Sequence, residues 1–158
     1  MTGSGKTVVH VISHTHWDRE WYMPYEAHHV KLIDTIDTLI DTFHSDPGFK
    51  SFYLDGQTII VEDYLQIYPE KRGQIQQLCD EGKLSLGPWY ILQDEFLTSS
   101  EANIRNLQIG HRDARKFGPV SKLGYFPDSF GNMGQAAQVQ VFSAFCSPTG
   151  ITTVWRFP

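Results

Sequence analysis

One stretch constrains this chain more than any other: Val8-Val9-His10-Val11-Ile12-Ser13-His14-Thr15-His16-Trp17-Asp18-Arg19-Glu20-Trp21. Its apolar, β-branched opening predicts a buried strand. The run then turns abruptly into histidine, carboxylate and tryptophan. In α/β folds a strand that ends this way builds a site, because the sheet fixes the backbone and the side chains emerge at its carboxyl end. His14, His16 and Asp18 alternate with Thr15 and Trp17, so strand geometry, if it persists, points the three in one direction. Imidazole and carboxylate on one face form a metal-ligand set, most naturally for zinc. The plainer alternative is that two histidines near an aspartate simply hydrogen-bond.

The remaining chain predicts alternating elements. Leu32, Ile36, Leu39, Ile40 and Phe43 recur at helical spacing over His28 to His44, and the Ser45-Asp46-Pro47-Gly48 cluster ends that helix. Phe49 to Asp55 reads as a strand closed by Asp55-Gly56. Thr58 to Tyr68 and Glu70 to Glu81 read as helical, interrupted at Pro69 and stopped at Gly82. Lys83 to Pro88 is a third strand. Thr98-Ser99-Ser100-Glu101 is a capping box for a helix running to about Phe117, on which His111 lies on the inward stripe as a structural residue. Leu123 to Phe126 reads as a fourth strand, Gln135 to Phe145 as a helix and Ile151 to Phe157 as a fifth strand. Such alternation implies parallel β/α units with right-handed crossovers. Met1 to Thr7 reads as a flexible lead. Gly5-Lys6-Thr7 lacks the first glycine and the preceding strand that a phosphate loop needs.

Two further stretches carry chemistry. Trp89 to Phe96 mixes aromatics with Asp94-Glu95, a pair suited to acid–base work or hydroxyl binding, or merely a solvated acidic pair. Pro127-Asp128-Ser129-Phe130-Gly131-Asn132 follows the fourth strand at once. Asp128 there could complete a metal site or simply serve the turn.

Bulk properties narrow the classes. The net charge of −5 argues against nucleic acid or an anionic membrane as partner. No apolar run is long enough to cross a bilayer, and no hydrophobic leader is evident, which predicts a cytoplasmic chain. Cys79 and Cys146 match no zinc or redox spacing, so reduced thiols are expected. Aromatic residues make up 13% of the chain, material for a carbohydrate site or for a core.

His14-Thr15-His16-Trp17-Asp18-Arg19-Glu20-Trp21 and Gly124-Tyr125-Phe126-Pro127-Asp128-Ser129-Phe130-Gly131-Asn132 together resemble segments of glycoside hydrolase family 38, the class II α-mannosidases. Gly87-Pro88-Trp89 with Asp94-Glu95 resembles a third segment, in the form common among bacterial members. The resemblance runs from Val8 to Gln138 and corresponds to the opening part of a longer family member. It implies that residues 8–158 form the amino-terminal portion of a catalytic barrel of seven parallel strands, a TIM-like α/β architecture. It also implies a zinc-dependent retaining hydrolase for terminal α-linked mannose. By this resemblance His16 and Asp18 match zinc ligands, Asp128 matches the carboxylate that both binds zinc and attacks the sugar, and Trp21 and Phe130 match aromatics of the mannose subsite. No ligand role passes to His14.

A retaining glycosidase needs two carboxyl groups about 5–5.5 Å apart. In the family the acid/base carboxylate and a further zinc-binding histidine come from later segments, and five strands do not close a seven-stranded barrel. An open sheet would leave an apolar edge available for self-association. Two other readings therefore stand beside the mannosidase: an inactive truncated module that works only by binding or assembly, and a metal-dependent polysaccharide deacetylase.

Overall fold

The computed structural model describes residues 9, 11–128 and 130–139. The expected features at residues 1–7, the bulk of the helix after Gln135, Cys146 and the final strand lie outside them.

Helix α1 spans Tyr25–Ser45. It begins three residues before the expected start because Pro24, with φ fixed near −59°, turns its carbonyl toward the amides of Ala27 and His28. The apolar stripe lies where periodicity puts it: Leu32, Ile36, Leu39, Ile40 and Phe43 are all buried. Each such side chain contributes about 1.5–3 kcal/mol on removal from water. The Asp46 carboxylate then accepts the Gly48 amide at 2.7 Å, which closes the turn.

Strand β1, Phe52–Tyr53, pairs in parallel with β2, Leu84–Ser85, with Phe52 opposite Leu84 and Tyr53 opposite Ser85. Between them lie α2 (Ile59–Ile67), a single 3-10 turn at Pro69–Lys71 and α3 (Arg72–Asp80). Pro69 ends α2 as expected, and Gly82 at φ +68° reverses the chain after α3. Helix α4 covers Ser100–Ala114, with Leu107, His111 and Ala114 buried. Its cap is one residue later than expected. Ser99 accepts the Ala102 amide at 3.1 Å, while the Thr98 hydroxyl donates to the Asn103 side chain at 2.6 Å.

Among the described residues the strands are shorter than the sequence predicts. Three isolated parallel bridges extend the order beyond β1 and β2: His14 to Tyr53, Gln57 to Trp89, and Leu86 to Val120. Four successive chain segments thus lie side by side in parallel and in sequence order, as in β/α folds. Among the described residues the sheet itself has two strands, so the seven-stranded barrel is not established. Val9, Val11 and Ile12, expected in a buried strand, are exposed at 77%, 88% and 63%. No described element covers them, and a strand is defined by its ladder, which here reduces to Tyr53 N–H donating to the Ser13 carbonyl at 2.9 Å. Past Ser121, whose N–H donates to the Leu86 carbonyl at 2.9 Å, residues 122–126 belong to no strand. Side chains secure them instead: Trp89 Nε1 donates to the Tyr125 carbonyl at 2.9 Å.

Helix α4 meets residues 88–90 backbone to backbone. A Cβ on Gly110 would lie 2.2 Å from the Pro88 carbonyl oxygen. The neighbouring Asn106 uses its whole amide on the same loop. Its oxygen accepts the amides of Tyr90 and Ile91 at 3.0 and 2.9 Å, and its nitrogen donates to the Ile91 carbonyl and to Gln93 Oε1 at 2.6 and 2.7 Å.

Candidate active site

The parallel segments end on one side of the sheet, and ligand-type residues collect there. His16 occupies the middle. Its Nε2 lies 3.5 Å from Asp18 Oδ1 and 3.6 Å from Asp128 Oδ2, and its Nδ1 lies 3.6 Å from Asp55 Oδ1. The strand does not persist through this stretch, yet His16 and Asp18 still meet. His14 turns elsewhere, stacking edge-on against Tyr125. Asp128 reaches the group from a turn at φ +49°, a left-handed conformation that aspartate tolerates better than most residues.

Among the described residues no group of three or more His, Cys, Asp and Glu side chains is drawn together closely enough to hold a metal ion as placed. The spacing around His16 Nε2 is nevertheless instructive. Ligands about 2.0–2.1 Å from a tetrahedral zinc stand about 3.4 Å from one another. The two carboxylate distances from Nε2 exceed that by only a few tenths of an ångström.

Asp55 is the residue that sequence reasoning missed. It follows β1 at φ +44° and is fully buried. Trp17 N–H donates to Oδ2 at 2.6 Å, Gln57 Nε2 donates to Oδ2 at 2.6 Å, and the Tyr125 hydroxyl donates to Oδ1 at 3.1 Å. Burial raises its pKa, and the Trp17 amide, Gln57, His16 and Tyr125 pull it back toward the charged form. Gly56 beside it, at φ +67°, has the Tyr125 ring where a Cβ would stand, at 2.5 Å. The signal in the sequence was present: Asp55 is a carboxylate at a strand end, as Asp18 and Asp128 were expected to be.

A cavity of about 270 Å³ opens beside this cluster, lined by His16, Trp17, Asp18, Arg19, Glu20, Gln57, Ile91 and Leu92. Asp128, Trp21 and Phe130 lie outside that lining. Trp21 and Phe130 are exposed at 69% and 75%. The Asp94-Glu95 pair is not a solvated pair. Glu95 is buried, accepts the Met133 amide on Oε2 at 2.9 Å, and is raised in pKa by burial. Asp94 serves the turn instead, its carbonyl accepting the amides of Leu97 and Thr98.

The model of the glycosyl hydrolases family 38 N-terminal domain matches residues 6–147. The chain belongs to glycosyl hydrolase family 38. Over 154 residues it is 51% identical to a Halalkalibacterium halodurans protein named "Putative mannosylglycerate hydrolase", an alignment covering 92% of this chain and 17% of that one. It is also similar to the crystal structure of an alpha-mannosidase from Enterococcus faecalis, with 55% identity and a TM-score of 0.82, covering 84% of this chain and 15% of that one. A second Enterococcus faecalis structure, described as a protein in glycosyl hydrolase family 38, shares 50% identity with a TM-score of 0.75. The family 38 chain therefore spans about a sixth of the length of these relatives. Among its described residues no helix is long and apolar enough to cross a membrane.

Proposed function

We propose that this family 38 chain carries the zinc-binding and nucleophilic half of a retaining α-mannoside hydrolase. The observation that supports the reading most is His16 Nε2 standing 3.5 Å from Asp18 and 3.6 Å from Asp128. His16, Asp18 and Asp128 would hold the metal. Neutral imidazole with carboxylates is a donor set that zinc accepts. When bound, zinc would supply a positive charge that keeps carboxylates ionised and grips sugar hydroxyls.

Asp128, whose side chain is 67% exposed, is open to substrate. Its carboxylate attacks the anomeric carbon of a terminal α-mannoside and forms a glycosyl ester. The bond to the leaving oxygen breaks, and a second carboxyl group protonates that oxygen. Water then cleaves the ester and the configuration is retained. Trp21 and Phe130 offer apolar faces to the C–H side of the sugar ring. Family membership favours this reaction over deacetylation. The names of the similar proteins point to α-mannosides and mannosylglycerate as the substrates to compare.

The test is zinc titration of metal-free protein, with hydrolysis of a chromogenic α-mannoside and of mannosylglycerate followed in parallel. Uptake of one zinc per chain, lost in Asp18→Asn and Asp128→Ala, supports the ligand set. Absence of zinc uptake by the unaltered protein overturns it.

A further inference from the structure

We propose that Asp55 is the positioning residue of this site: its carboxylate backs the Nδ1 side of the His16 ring and locks together the two segments that carry Asp18 and Asp128. The inference rests on the zinc reading above and adds to it a residue that touches neither metal nor substrate.

Four partners converge on this one side chain. Oδ2 takes the Trp17 amide and Gln57 Nε2, both at 2.6 Å. Trp17 lies between His16 and Asp18, so this bond fixes the backbone of the first ligand segment. Oδ1 takes the Tyr125 hydroxyl at 3.1 Å and faces His16 Nδ1 at 3.6 Å. Tyr125 lies three residues before Asp128. Its carbonyl is held separately by Trp89 Nε1 at 2.9 Å, so the second segment is gripped at both ends of one tyrosine. Gln57 closes the frame, donating to the Trp17 carbonyl at 2.7 Å and accepting the Leu92 amide at 3.1 Å.

Only an ionised carboxylate offers enough acceptor sites for this arrangement without bringing a donor of its own. Its full burial keeps water from substituting. A carboxylate on the far nitrogen of a ligating histidine fixes the ring orientation and leaves the other nitrogen free for metal. Here that free nitrogen is Nε2, the one facing Asp18 and Asp128. The local backbone accommodates the device. Asp55 and Gly56 are consecutively left-handed, and the missing side chain at Gly56 is the space the Tyr125 ring fills.

The experiment measures zinc affinity by competition with a chromophoric chelator, together with the visible spectrum of the cobalt-substituted protein, for the unaltered chain, Asp55→Asn and Tyr125→Phe. Leu78→Ala, a core change at a helix away from the site, controls for lost stability. Asp55→Asn is expected to weaken zinc binding about 10- to 100-fold and to change the cobalt spectrum. Tyr125→Phe should act in the same direction and more weakly. Leu78→Ala should leave affinity and spectrum unchanged at a comparable loss of thermal midpoint. Unaltered affinity and spectrum in both site variants would overturn the role of Asp55. So would an equal effect from Leu78→Ala. Failure of the unaltered protein to bind zinc would instead remove the reading on which the role rests.

Discussion

Arg19 and Asp63 form a two-pronged ion pair across 44 residues of chain, Nε to Oδ2 at 2.7 Å and Nη2 to Oδ1 at 2.9 Å. Asp63 is fully buried on α2, and its carbonyl also meets His29 Nε2 at 2.8 Å. The pair ties the segment next to Asp18 to the helical layer behind the sheet. Asp63→Asn should cost about 2 kcal/mol, since it leaves a partly buried guanidinium without its counter-charge while Arg19 keeps some access to water. Arg19→Lys should cost part of that, because an ammonium cannot form the planar fork. Urea unfolding midpoints check both values.

Glycines in two helices should respond in opposite ways. Gly110→Ala drives a methyl into the backbone of residues 88–90, where the Trp89 carbonyl carbon lies 2.2 Å from the new Cβ position. A loss of about 3 kcal/mol is expected. Gly73→Ala in α3 meets no atom within 4 Å. It should gain about 0.5–1 kcal/mol from helix propensity and a less flexible unfolded chain. Thermal unfolding of the two variants side by side gives the contrast.

The His111 imidazole is pushed down to about 4 by burial and by the neighbouring charges of Arg115 and Lys122. In the unfolded chain the ring takes its proton near pH 6.5, and in the folded chain only near pH 4. The unfolded state therefore binds more protons between those values. Stability should be full above pH 6.5, fall as the pH drops toward 4, and level off below. The decline should reach about 2 kcal/mol, less than the whole shift implies because solvent screens the neighbouring charges. His111→Gln should flatten the slope, as read from urea midpoints at pH 7 and pH 4.5.

Trp21 stands 69% exposed, so Trp21→Ala should change stability by no more than about 0.5 kcal/mol. If it forms a sugar platform, the same change weakens binding of mannose to the zinc-loaded chain. Titration calorimetry with the unaltered protein as reference would show it, and an unchanged affinity would remove Trp21 from the subsite.

Elements whose signal is local were legible in the sequence. The stripe from Leu32 to Phe43 and the stop at Pro47-Gly48 are properties of one helix, and the structure places them where periodicity does. The strands were legible in order and parallel sense but not in length. A ladder depends on what lies alongside, and among the described residues the first and fourth segments join the sheet through single bridges, His14 to Tyr53 and Leu86 to Val120. The shift of the cap from Thr98 to Ser99 turned on Asn103, which takes the threonine hydroxyl for itself. Asp55 was hidden for a related reason. Asp-Gly after a strand reads as a turn, and the turn is real, with both residues at positive φ. Its four partners come from three separate parts of the chain, so its place at a strand end marks it as a candidate without naming what it binds.

Asn106 gives the cavity an unusual line of control. Its four bonds to Tyr90, Ile91 and Gln93 make the loop bearing Ile91 and Leu92 an extension of helix α4. The same wall is tied on its other side to Gln57, which accepts the Leu92 amide at 3.1 Å. The shape of the cavity therefore depends on a residue that does not line it. Removing the Asn106 amide would free that wall from α4 without touching any side chain that faces the cavity.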